Sequence, residues 1–130
     1  MFDRKTLLAK LDIGDIFHAE SPGGASLICL VLSVDQTTIQ ARRVTTQENL
    51  KFDRRTGVTV ADDKGVPCVI DSVAPLPAEI HDVFLELDRK YQKYRPGREP
   101  ERFKLTDAEK KALLFVSSHY ASNPLAAPVS

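Results

Sequence analysis

SLICLVLSVDQTTIQARRVTTQENLKFDRR, residues 26–55, decides the fold. It contains three β-type runs joined by two short polar turns. Leu27 to Val34 is apolar almost without interruption and rich in β-branched residues, as expected of a central strand covered on both faces. Two hairpins therefore follow one another, and their registers can be read by parity. Pairing Val34 with Ile39 around Asp35 to Thr38 sets Leu32 opposite Ala41. A three-residue loop, Gln47 to Asn49, would then set Val44 opposite Phe52 and Arg43 opposite Asp53. Ile39 and Ala41 share one face by parity, and Val44 needs that face too. A β-bulge at Arg42-Arg43 would reconcile them by inserting one residue.

Upstream, Leu7, Leu8 and Leu11 have the spacing of a short apolar helical face over Thr6 to Leu11. Gly14 ends that helix, and Gly14-Asp15-Ile16-Phe17 opens a first strand reaching Glu20. Ser21-Pro22-Gly23-Gly24 is a loop by composition. Downstream, Val58-Thr59-Val60 alternates, Asp62 to Gly65 is turn chemistry, and Val66 to Val73 is the last strand before Pro75 and Pro77.

From Ala78 the apolar period changes from two to 3.6. Ile80, Val83, Phe84, Leu87, Tyr91 and Tyr94 form one stripe on a helix over Ala78 to Arg95. Acidic residues lie in its first turn and basic ones in its last, the order favoured by the helix dipole. Pro96-Gly97 stops it, and Arg98 to Arg102 is a charged linker. Thr106-Asp107-Ala108-Glu109 is a capping-box signature that starts a second helix carrying Ala112, Leu113, Val116 and Tyr120.

The 130 residues are enough for one domain with one core. With 18 basic and 18 acidic residues the formal charge is zero, so no overall field draws the chain to nucleic acid or membrane. No apolar run approaches the ~20 residues of a membrane span, and a cytoplasmic protein with no membrane partner is expected. Cys29 and Cys68 each lie in an apolar β run and read as buried, reduced thiols.

Five short strands opened by Gly14-Asp15-Ile16-Phe17, with a long central hairpin and a proline-terminated last strand, resemble an SH3-like small barrel of the KOW and Tudor type over Asp12 to Leu76. Phe52 to Gly57, together with Pro75-Leu76-Pro77 running into a helix, is also similar to a group of small bacterial proteins, and that similarity implies no activity. The barrel resemblance implies binding to peptides, RNA, DNA or ribosomal surfaces. Recognition of methylated or proline-rich ligands uses clustered aromatics, and this segment has only Phe17 and Phe52.

The expected architecture is α+β: a short N-terminal helix, a five-stranded antiparallel SH3-like β-barrel and two C-terminal helices. Residues 1–77 hold the helix and barrel, 78–122 the helical pair packed on the barrel in one compact domain, and 123–130 a frayed tail. The strongest chemical signal is basic. Arg42, Arg43, Lys51, Arg54 and Arg55 lie on two paired strands and would place several cations in one patch suited to phosphate. His18, His81 and His119 have no metal-ligand spacing, and no nucleophile motif or phosphate loop occurs, so neither catalytic residues nor a cofactor are expected. The sequence thus points to a non-enzymatic binding module contacting a polyanion such as nucleic acid. The alternative is protein interaction or self-association through the C-terminal helices, with Tyr91 and Tyr94 extending their stripe.

Overall fold

The computed structural model describes residues 4–60, 67–93 and 105–125. Its elements are α1 (Arg4–Ala9), β1 (Ile16–Glu20), β2 (Ser26–Val34), β3 (Thr38–Arg43), β4 (Asn49–Asp53), β5 (Val69–Ser72), α2 (Ala78–Lys93) and α3 (Asp107–Ala121). The expected α+β class holds, with five antiparallel strands in the order β4-β3-β2-β1-β5. β2 is central, as its apolar run requires.

The sheet curls into a half-barrel. Phe17 on β1 meets Phe52 on β4 edge-on, with ring centroids 5.3 Å apart. Those strands are three positions apart, and at about 4.8 Å per spacing a flat sheet would separate them far beyond contact. Gly57 to Val60 laces the gap between the two edge strands. Asp53 and Val60 N–H groups bond Val58 and Lys51 carbonyls on the β4 side, and Ile70 and Thr59 N–H groups bond Gly57 and Cys68 carbonyls on the β5 side.

Each face of the sheet carries a buried core. On the inner face Phe17, Ala19, Leu27, Cys29, Val31, Ile39, Phe52 and Ile70 pack with Leu8 and Leu11 from the α1 end. On the outer face Ile16, Leu30 and Val44 pack with Phe84 and Leu87 of α2 and Ala112, Val116 and Tyr120 of α3. Alternate residues of β2 therefore feed two cores, which is why its sequence lacks polar alternation. α3 starts with the expected capping box between Thr106 and Glu109. α2 and α3 run antiparallel: Lys90 pairs with Glu109 at one end, and His119 reaches the Pro75 carbonyl near the start of α2 at the other. Among the described residues no helix is long and apolar enough to cross a membrane.

Several expected details change. Val34 does face Ile39, but Val31 faces Ala41, and the extra residue is Leu32 on β2. In the second hairpin Ile39 faces Phe52, Thr38 faces Asp53 and Arg42 faces Asn49. No bulge forms at Arg42-Arg43, Val44 is not opposite Phe52, and Arg43 is not opposite Asp53. The physical reason is the second core: Val44 belongs on the helix side, so it never competes with Ile39 and Ala41. The connection closes through Gln47 N–H to Arg43 O and Arg43 N–H to Glu48 O, with Gln47 at φ 62°. At the start of the expected tail, Asn123 O accepts from the Ser72 hydroxyl and Leu125 N–H donates to Asp71 O, so these residues dock on β5, while residues 126–130 lie outside the described residues. The expected turn at Asp62 to Gly65 and linker at Arg98 to Arg102 lie outside the described residues, as does Tyr94.

Candidate binding groove on the β3–β4 hairpin

The five basic residues of the hairpin have separate surroundings. Arg42 projects from the outer face into a bidentate pair with Asp88 of α2, at 3.1 and 2.6 Å. Gln92 turns its amide oxygen to the same guanidinium at 2.8 and 3.1 Å. Arg43 donates to the Ser26 carbonyl. Arg54 donates to three carbonyls, those of Asp35, Ala9 and Leu11, and so ties the end of α1 to the β2–β3 turn. Lys51 is exposed, and Arg55 is exposed with Asp53 at 4.0 Å. Three arginines are thus spent on internal bonds, and the structure brings no five-cation patch together.

What the hairpin does present is a groove of about 540 Å³. It lies where the outer sheet face runs on past the Arg42–Asp88 pair. Lys51 stands directly opposite Gln40, and Asn49 is two residues along the same strand on the same face. The side chains of Gln40, Asn49 and Lys51 are engaged by no hydrogen bond or ion pair among the described residues. Leu32, displaced by its bulge, supplies half-buried apolar surface, and Val60, 47% exposed, borders it. Among the described residues Lys51 is the one charged residue lining the groove. The Asp35 carboxyl, outside the groove, is held below the usual range by the Thr37 and Thr38 N–H groups and more weakly by the Lys51 charge.

The amides at Gln40 and Asn49 carry no sequence signal of their own. Only the β3–β4 register sets Gln40 beside Lys51 and Asn49. A one-residue slip would have turned all three to the inner face.

The histidines are dispersed over two regions. His18 Nδ1 lies 2.5 Å from Asp71 Oδ1 and its ring packs against Tyr120, which also meets His119 edge-on. Burial pushes the Tyr120 hydroxyl well above its ordinary range. His81 instead lines a separate cleft of about 340 Å³ between α1, β1 and the start of α2. Among the described residues no group of three or more His, Cys, Asp or Glu side chains is placed to hold a metal. Cys29 is fully buried, its thiol pushed up to about 12 by burial, and Cys68 is only half-buried. No family model, no curated protein and no solved structure matches the chain.

Proposed function

We propose that this chain is a binding module built on an SH3-like barrel, and that the β3–β4 groove receives an extended peptide segment carrying a carboxylate. The observation that carries the reading is the uncovered face holding Gln40, Asn49 and Lys51, three polar side chains without a partner among the described residues. The strand order supports an SH3-like assignment, since a meander of four strands with β5 returned beside β1 is the arrangement that resemblance implies.

The chemistry of the groove selects the ligand class. Each primary amide offers one donor and one acceptor side, matching a peptide group. Among the described residues the lining supplies one cation, Lys51, and no carboxylate, so an acidic side chain or chain terminus is its complement. Leu32 and Val60 provide contact for an apolar neighbour. A nucleic acid is less well served, because among the described residues the lining has no aromatic ring for base stacking and a single charge for phosphate. Exposed Arg55, on the turn after β4, keeps nucleic acid as the second reading.

A short random peptide library displayed on phage tests this directly, with the wild-type protein as bait and Lys51→Glu as counter-selection. Recovered peptides should carry Asp or Glu, shift the amide resonances of Gln40, Asn49 and Lys51, and bind Lys51→Glu about tenfold or more weakly. Failure to recover any peptide that distinguishes the two proteins overturns the peptide reading. In parallel, labelled single-stranded oligonucleotide is titrated at low and high salt. Binding that weakens steeply with salt and falls on Lys51→Ala/Arg55→Ala establishes the nucleic-acid reading instead.

A further inference from the structure

We propose that the outer faces of α2 and α3 form a self-complementary surface on which a second copy of this chain docks about a two-fold axis. This surface is separate from the groove, and the inference does not depend on the peptide reading.

The apolar centre lies on α3. Its inward stripe, Ala112, Val116 and Tyr120, is filled by the core, yet Leu114 is 76% exposed and its neighbour Phe115 is 37% exposed. Phe115 is held in place: its ring stacks on His119 at 5.2 Å, and His119 is itself fixed on the Pro75 carbonyl. An exposed leucine beside a pre-oriented aromatic ring is the composition of an interface centre.

The charges on either side identify the occupant. The solvent face of α2 carries exposed Glu79, Asp82 and Glu86 in its first three turns, then exposed Arg89. Because the helices are antiparallel, Arg89 lies at the end of the layer where α3 begins, together with exposed Lys110 and Lys111. Among the described residues Asp107, in the first turn of α3, is the exposed acidic exception at that end. The layer therefore has a basic end and an acidic end with Leu114 and Phe115 between them. A two-fold axis through that apolar centre lays the basic end of one copy on the acidic end of the other, and brings Leu114 onto its own counterpart. Such an isologous contact needs one patch complementary to itself, and this patch is. The zero formal charge of the chain leaves no net repulsion between copies.

The test is sedimentation velocity of the full chain across the micromolar range. Wild type should move from monomer to dimer as concentration rises. Leu114→Glu should sediment as monomer throughout while keeping its circular dichroism spectrum and melting temperature. The double reversal Lys110→Glu/Lys111→Glu should weaken the dimer about tenfold, and adding Asp82→Lys/Glu86→Lys should restore it. If Leu114→Glu proves unfolded, the charge reversal and its rescue carry the test alone. A wild type that stays monomeric, or a Leu114→Glu dimer of unchanged strength, overturns the proposal, as does failure of the second reversal to rescue the first.

Discussion

Asp88 on α2 accepts from both Nε and Nη2 of Arg42 on β3, and its side chain is only 4% exposed. The same carboxylate accepts from Gln47 Nε2 at 2.9 Å. Gln47 is the residue that turns the second hairpin with a positive φ, a conformation uncommon outside glycine. One buried carboxylate thus fixes the helix against the sheet, the arginine's direction and the shape of the loop.

Removing that carboxylate leaves a largely buried guanidinium without its counter-charge. Asp88→Ala should therefore cost about 3–5 kcal/mol, whereas Arg42→Met/Asp88→Leu should recover most of the loss, because it removes both desolvated charges at similar volume. Urea unfolding of the two variants decides it. A loss below about 1 kcal/mol in Asp88→Ala would show that the pair behaves like a solvated surface contact.

Gly57 carries φ +75°, and a Cβ there would lie 2.5 Å from Arg4 Nη2 and 3.2 Å from Leu8 Cδ1. Arg4 Nε is already committed to the Thr56 carbonyl, and Leu8 is fully buried. Gly57→Ala should cost about 1–3 kcal/mol through backbone strain and displacement of α1. Gly23→Ala is the control: its φ is ordinary and its nearest contact is Ser21 Oγ at 3.9 Å. Equal melting temperatures for the two variants would contradict the close approach of α1.

The central strand, the α2 stripe and the α3 capping box were legible because each is a local pattern with one physical meaning. Register was not. Parity assigns Val44 to the face of Ile39 only if the sheet has a single buried face, and the second core removes that premise. Nor does sequence reveal that Arg42 and Arg54 are internal, since their partners, Asp88 and the carbonyls of Ala9 and Leu11, are more than 40 positions away. A run of arginines reads the same whether its charges face solvent or tie elements together.

The Glu109 carboxyl should give the protein a measurable acid limb. Burial pushes it up, but the Thr106 N–H and the Lys90 ammonium outweigh burial and hold it below the usual range. Because the folded value is depressed, its stabilisation is complete above the ordinary glutamate value of about 4.3 and is lost as pH falls through the lower folded value. Glu109→Gln keeps an acceptor for the cap but loses the charge. Its deficit relative to wild type should be present at neutral pH and shrink below about pH 4. Guanidinium unfolding at a series of pH values would expose a pH-independent deficit, which would exclude the ionised cap.

The two thiols should separate kinetically. Burial raises both, Cys29 to about 12, but Cys68 lies half-buried while Cys29 has no exposed surface. A thiol reagent should modify Cys68 slowly in the native state and Cys29 only on unfolding. Mass spectrometry of native protein labelled first at Cys29 would contradict this order.

Leu30 and Leu32 sit two residues apart on β2, and a regular strand would give them one environment. The bulge separates them: Leu30 is buried beneath α2 and α3, and Leu32 is displaced to line the groove. Leu30→Ala should therefore leave a cavity in the outer core and cost about 2–5 kcal/mol. Leu32→Ala removes half-exposed surface that solvent can reach, and should cost about 1 kcal/mol or less. The same Leu32 variant should weaken any peptide recovered on the groove, whereas Leu30→Ala should alter stability without altering affinity at temperatures where it remains folded. Chemical denaturation of both variants, with affinity measured on the folded fraction, separates the roles. Equal losses of stability would mean that β2 passes Leu32 without a bulge, and the placement of Leu32 in the groove would fall with it.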